Sequence, residues 1–226
     1  MVVDKPNEED PRDKSSFRPL PGGPHDLPAD EVHRHQRERI FSAVAVVMAE
    51  AGYAGLTVDR IIALARISRG TFYREFANRR EAAIGAHEQI FERFFASLVA
   101  ACRTEDQWAD KVKAAIGATL EFAAAEPAQA QVLATGMLAA DLDLTRRVRD
   151  SYDRLAKLLS QGRRECPGAA SLPQVTEQFL IGAIAAVLAR QLISEGSSQL
   201  VGMHTELTQL TLIPYLGPVE ARRAVA

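Results

Sequence analysis

The sequence predicts an all-α fold, and three observations carry that prediction. From about Glu31 to residue 213, apolar residues recur at three- and four-residue spacing in one segment after another. No stretch shows the strict apolar–polar alternation of a strand, and no internal repeat is evident. Helix punctuation falls between the periodic segments, with Gly52 as a stop, Thr57, Ser68 and Asn78 as caps, and Pro127 as a break. The chain has 226 residues, 47% hydrophobic and 25% charged, which suits one large globular domain or two small ones.

Residues 1–30 hold six of the eleven prolines and little apolar periodicity, so they are read as a disordered acidic tail. The first helix follows, with Ile40, Val44, Val47, Met48 and Ala51 on one face, and Gly52 ends it. His33 and His35 near its start lack a third ligand in view, so a solvated helix start is expected and no metal. Thr57 is placed to cap a short second helix with Val58, Ile61, Ile62 and Ala65 inward. After a turn of about three residues Ser68 caps a third helix carrying Phe72 and Phe76. Asn78 caps a long fourth helix with Ala83, Ala86, Ile90, Phe94 and Leu98 inward. Further helices are expected over 106–125, 128–139, 142–163, 174–195 and 198–213, the last ending near Pro214. GRRECPGAASLP, between 162 and 173, is the clearest interior loop.

Two short helices joined by a tight turn behind a longer one make a helix-turn-helix. The net charge of −2 hides a division along the chain. Residues 34–80 hold nine basic and four acidic groups, a local balance of +5, whereas residues 1–31 carry −4 and residues 81–226 carry −3. A phosphate backbone responds to the local charge. On the third helix, SRGTFYREF, Phe72 and Phe76 point inward while Gly70, Thr71, Tyr73 and Arg74 spread outward and Arg69 leaves the first turn. A helix entering a major groove about 12 Å wide needs small residues and donors at its leading end. Arg69 can donate to guanine or phosphate, and Tyr73 can reach a phosphate oxygen. Thr57 and Ser68 stand at helix N-termini, which favour phosphate. Arg66 adds charge in the turn, and Arg79 and Arg80 can clamp the backbone from the fourth helix.

The stretch from Arg39 to Ala83, with AGYAGLTVDRIIALARISRGTFYREFANRREAA, resembles the DNA-binding domain of TetR-family transcriptional regulators. Gly52, Thr57, Ile61, Ala65, Ile67, Ser68, Gly70, Thr71, Tyr73 and Phe76 fall in register with that family's pattern or replace it conservatively. The motif covers about a fifth of the chain and is specific, because many spaced positions agree; the length and the nine helices also fit. Several positions depart. Arg66 stands where the family has glycine, Ile62 where it has alanine, Arg79 where it has lysine and Ala82 where it has leucine. Glu75 puts a carboxylate where a neutral or basic group is commoner, and modest repulsion of DNA is expected from it.

Beside the tail at 1–30, the resemblance implies a DNA-binding domain at 31–80 and an effector-binding and dimerisation domain at 81–226. It implies a homodimer on a palindromic double-stranded DNA operator, released by a small-molecule effector, with activation in place of repression left open. No cofactor, metal or membrane partner is expected, and a cytoplasmic location is. Candidate cavity residues are Phe91, Phe95, Leu98, Trp108, Phe122, Met137 and Tyr152, each also readable as plain core. FLIGAIAAVLA at 179–189, closed by Arg190, is too short to span a bilayer and reads as a buried helix of a soluble protein. Its Phe179, Gly182 and Ala186, with Leu207 and Leu210 of the last helix, are candidates for a dimer interface, with intrachain core as the alternative. Cys102 and Cys166 suggest a reduced thiol pair. An all-α enzyme is the competing class, but the chain has no ExxH pair, HExxH, GxGxxG, P-loop or GxSxG. A helical interaction module without DNA function is the other.

Overall fold

A computed structural model describes residues 29–135, 141–194 and 199–225, and every regular element among them is helical. The order is α1 (Ala29–Ala51), α2 (Val58–Ala65), α3 (Arg69–Glu75), α4 (Arg79–Cys102), α5 (Trp108–Ala125), α6 (Pro127–Thr135), α7 (Leu142–Leu159), a four-residue α8 (Gly162–Glu165), α9 (Thr176–Ser194) and α10 (His204–Val225), with 3-10 turns at Pro167–Ser171 and Leu200–Met203. The tail expected at 1–30 lies outside the described residues up to position 28.

The expected caps form. Thr57 accepts from the Arg60 amide at 3.2 Å, Ser68 from Thr71 at 3.0 Å and Asn78 from Glu81 at 3.0 Å, so each helix start satisfies an otherwise orphaned N–H. Gly52 takes φ +63 after α1, the left-handed stop that glycine allows.

Two expected helix ends need correction. The helix expected over 142–163 ends at Leu159, and Gly162 begins a separate turn packed so closely on the Trp108 ring that a Cβ there would lie 2.4 Å from it. The last helix does not end near Pro214. It continues to Val225, and its break falls at Gly217 (φ +78), which leaves Pro218 at the start of a new helical run, where its missing N–H costs nothing.

One core joins the N-terminal helices to the rest. Ile40, Val44, Leu56, Ile61, Phe72 and Phe76 pack with Ala82–Ile90 of α4, and Val132, Leu144 and Val148 of α6 and α7 close the same cluster. A second core links α5, α9 and α10 around Trp108, Leu120, Leu188, Leu207 and Leu212. Between α8 and α10, Glu177 accepts from Arg163 through two nitrogens (2.6 and 2.8 Å) and from the Tyr215 hydroxyl at 2.8 Å. Burial favours the neutral Glu177 carboxyl, but these donors outweigh it and hold its pKa below the ordinary value.

The helix read as buried is not. α9 is long and apolar enough to cross a membrane by length and composition, and only 22% of its apolar window is buried within the chain. Phe179 and Ile193 on one face of it, and Val175 just before its start, are largely exposed.

Candidate nucleic-acid interface and ligand cavity

The third helix is short, and its orientation comes from what lies beneath it. Phe72 is fully buried and Phe76 nearly so, with ring centroids 6.1 Å apart, and Phe41 of α1 lies 5.5 Å from Phe76. Above that anchor Ser68, Arg69, Gly70, Tyr73 and Arg74 are exposed, and Thr71 is half-buried. Tyr73 is 49% exposed and meets only the edge of Phe72 among aromatic rings, at 5.4 Å. A Cβ built on Gly70 would touch nothing closer than Ser68 Oγ at 3.7 Å, so no neighbour among the described residues requires glycine there.

The turn before it is strained in the way the missing glycine predicts. Arg66 has φ 50 and ψ 47, the one left-handed non-glycine residue among those described. Arg39 stabilises this turn from α1, where it is buried. Its Nη2 donates to the carbonyl of Ala65 and, at 2.9 Å, to that of Arg66, satisfying the end of α2. Burial, and then the nearby Arg66, pull the Arg39 guanidinium below its ordinary pKa.

Several candidate DNA contacts already have partners. Arg69 pairs with Asp59 of α2, and Arg74 donates to Gln36 at 2.7 Å. Arg79 donates to the Leu56 carbonyl and lies 5.4 Å over the Tyr53 ring. Arg80 turns to α7, with Nε 2.9 Å from Asp141 Oδ2 and Nη2 paired with Asp143. Asp141 caps α7 through Oδ1, which accepts from Asp143 and Leu144 at 3.1 and 3.0 Å, and its Oδ2 also accepts from Tyr53 at 3.2 Å. The Leu144 amide, then Arg80 and Tyr53, hold the Asp141 carboxyl below its usual range against the opposing effect of burial.

Glu75 does not face outward. Its side chain is 6% exposed and sits among three basic side chains, His33 Nδ1 at 2.6 Å, Arg74 Nε at 3.6 Å and Arg37 at 3.9 Å. The start of α1 is therefore not merely solvated, and the repulsion expected of Glu75 is replaced by a bridge from α3 to α1. Sequence reasoning missed Arg37, Arg39, Asp141 and Asp143. Arg39 alone left a signal, as a charge adjoining the apolar face that begins at Ile40.

A cavity of about 440 Å³ opens among α4, α5, α6, α7 and α9. Leu98, Trp108, Phe122 and Tyr152 line it as expected, together with Phe94 and Ile116. Phe91 and Phe95 do not: they turn to α7, where Arg154 lies 4.8 and 4.4 Å from their ring centres. Met137 lies outside the described residues. The hydroxyls in the wall are spent on backbone carbonyls, Thr119 on Ala115 at 2.8 Å, Thr211 on Leu207 at 2.7 Å, and Tyr152 on Leu133 and Ala134, both at 3.3 Å. Burial raises Tyr152 to about 12. The charged lining residues, Arg103, Glu105 and Lys111, all come from the α4–α5 connection and the first turn of α5. Of the interface candidates, Phe179 and Leu210 are exposed at 72% and 60%, Ala186 is exposed and Gly182 has no atom within 4 Å of a built Cβ. Leu207 is buried in its own chain's second core. Among the described residues no three His, Cys, Asp or Glu side chains group as metal ligands.

Residues 40–81 match the family model described as bacterial regulatory proteins, tetR family. Among solved structures, the fatty acid degradation regulator FadR from Bacillus halodurans is similar with a TM-score of 0.68 and 21% identity, over 77% of this chain and 97% of that one. FadR from Bacillus subtilis, solved in complex with stearoyl-CoA, gives 0.65 and 18%, over 78% and 97%. RolR in complex with resorcinol gives 0.56 and 16%, over 87% and 96%. No curated protein matches the chain in sequence.

Proposed function

We propose that this chain, whose residues 40–81 match the tetR-family model, is a TetR-family homodimeric repressor, released from a palindromic operator by an apolar small molecule. The observation that carries the DNA half is the exposed set Ser68, Arg69, Gly70, Tyr73 and Arg74, held on a fully buried Phe72. Thr57, Arg66, Thr71 and Arg79 flank it, so α2 and α3 form the reading head at one end of a domain covering about 31–80. Arg69 exchanges its exposed pairing with Asp59 for phosphate or guanine, a small sacrifice because surface ion pairs are worth about 0–1 kcal/mol.

The cavity supports an apolar effector in the part covering 81–226. Its Thr119, Tyr152 and Thr211 hydroxyls donate to backbone carbonyls and have no hydrogen bond left to donate inward, which disfavours a ligand body that needs donors. An acyl or aryl portion fits there, with a polar end towards Arg103 and Lys111. Proteins of the same fold solved with stearoyl-CoA, an acyl compound, and with resorcinol, an aryl one, support that choice of ligand class. The apolar face of α9, with Leu210 of α10, suits a second copy. Covering Phe179, Gly182, Ala186 and Ile193 would bring two reading heads to one duplex, about 34–36 Å apart. Such a regulator acts in the cytoplasm, where its DNA is.

The test is a mobility shift on DNA flanking the protein's own gene, across a salt series, with wild type and an Arg69→Ala/Tyr73→Ala variant. Binding that weakens steeply with salt and is lost in the variant is expected. No binding at low salt, or equal binding by the variant, would overturn the reading.

A further inference from the structure

Arg80 stands beside Arg79 in the first turn of α4, at the end of that helix nearest α3. It is the second of two adjacent guanidinium groups there, yet it is turned onto two carboxylates of α7. Those carboxylates are fixed. Asp141 spends Oδ1 on capping α7 and Oδ2 on Tyr53 and Arg80, and Asp143 also accepts from Arg146 at 3.2 Å. To Arg80 the pair offers what a DNA phosphate offers, closely spaced anionic oxygens that accept a planar fork of N–H groups.

The contact also heads a longer seam. α4 and α7 run parallel, and their polar pairs recur in register: His87 with Ser151 at 3.1 Å, Glu88 with Arg147 at 3.2 Å, and Glu92 with Arg154. On its other side α7 presents Tyr152, Leu155 and Leu159 to the cavity. A ligand that shifts α7 therefore shifts Asp141 and Asp143 relative to Arg80.

We propose that Asp141 and Asp143 compete with the DNA backbone for Arg80, an autoinhibitory contact through which α7 sets operator affinity. The inference rests on the DNA-binding reading above. In the state shown, Arg80 is withheld from DNA. In the operator-bound state it leaves α7 and adds one phosphate contact.

The experiment measures affinity for a duplex selected in vitro with the wild-type protein, over a salt series, for wild type, Asp141→Asn/Asp143→Asn, Arg80→Ala and the triple variant. Asparagine caps a helix as well as aspartate does, so α7 keeps its start. Asp143→Asn alone, whose side chain makes no cap bond, repeats the measurement with less perturbation, and melting temperatures check the fold. The double variant is expected to bind about fivefold more tightly at low salt, because Arg80 no longer has to leave two carboxylates to reach a phosphate. Arg80→Ala is expected to abolish that gain, so the triple variant matches Arg80→Ala alone. An equal gain with and without Arg80 would mean that removing negative charge acts generally, and would overturn the competition. So would unchanged affinity in both asparagine variants. If the wild type selects no DNA at all, the DNA-binding reading falls first and this one with it.

Discussion

His33 Nδ1 of α1 lies 2.6 Å from Glu75 Oε1 at the end of α3, joining helices 42 residues apart. Arg37, one turn further along α1, lies 4.6 Å over the Phe76 ring and 3.9 Å from the same carboxylate. Glu75 thus fixes the angle at which α3 leaves the domain. Glu75→Ala is expected to destabilise the protein by about 1–3 kcal/mol, because His33, Arg37 and Arg74 lose a largely buried acceptor. It is also expected to weaken DNA binding. If Glu75 acted by repelling phosphate, the same variant would bind more tightly at low salt, so a titration of variant against wild type decides between the two.

Arg66 offers a test with the opposite sign. Its left-handed backbone costs on the order of 1 kcal/mol relative to glycine. Arg66→Gly is expected to raise stability by up to about that amount in denaturant unfolding. Loss of an exposed guanidinium at the turn is expected to lower the salt slope of DNA binding by about 1 if Arg66 contacts phosphate.

The N-terminal domain was legible because it is built from local signals. Thr57, Ser68 and Asn78 announce their helices by position, and Phe72 and Phe76 announce the buried side by spacing. What stayed hidden depended on partners far away in the chain. Nothing near Glu75 indicates His33, and nothing near Arg80 indicates Asp141, so charged residues read as outward-facing turned out to be bridges. The same limit explains Phe91 and Phe95, whose helical face is apolar on two sides and whose outer side Arg154 covers. It explains α9 as well. An all-apolar helix reads as core, whereas one of its faces has no cover among the described residues.

His87 provides a pH dependence. It is 1% exposed, stacked on Phe91, and bonded to Ser151 through Nε2, while Nδ1 has no hydrogen-bond partner among the described residues. Burial pulls its pKa down from 6.5 to about 4. The unfolded chain therefore binds a proton more readily, and the stability tied to neutral His87 is complete above pH 6.5 and lost as pH falls towards 4. The loss over that window is on the order of 3 kcal/mol. Melting temperature against pH is expected to fall more steeply for wild type than for His87→Gln, and parallel curves would contradict the assignment.

The exposed face of α9 predicts a change of oligomeric state. Phe179→Glu places a charge where the apolar stripe would meet its own copy. Because Phe179 is 72% exposed in the single chain, the fold is expected to tolerate the change within about 0.5 kcal/mol. Sedimentation is expected to show a dimer for wild type and a monomer for the variant, with operator binding weakened in parallel. A variant that stays dimeric would place the interface elsewhere.

Gly70 separates stability from function most cleanly. Inside the protein a Cβ at this position meets nothing closer than 3.7 Å, and the residue is helical, so the fold gains nothing from glycine. Gly70→Ala is expected to stabilise the domain by up to about 1 kcal/mol through helix propensity alone. If the backbone at Gly70 approaches DNA, the added methyl group occupies that space. Gly70→Val would occupy more of it, and as a β-branched residue it would gain less stability. Operator affinity is therefore expected to fall from glycine to alanine to valine while both variants remain at least as stable as wild type. Paired unfolding and DNA titrations read the two quantities independently, and undiminished binding by Gly70→Val would remove α3 from the groove.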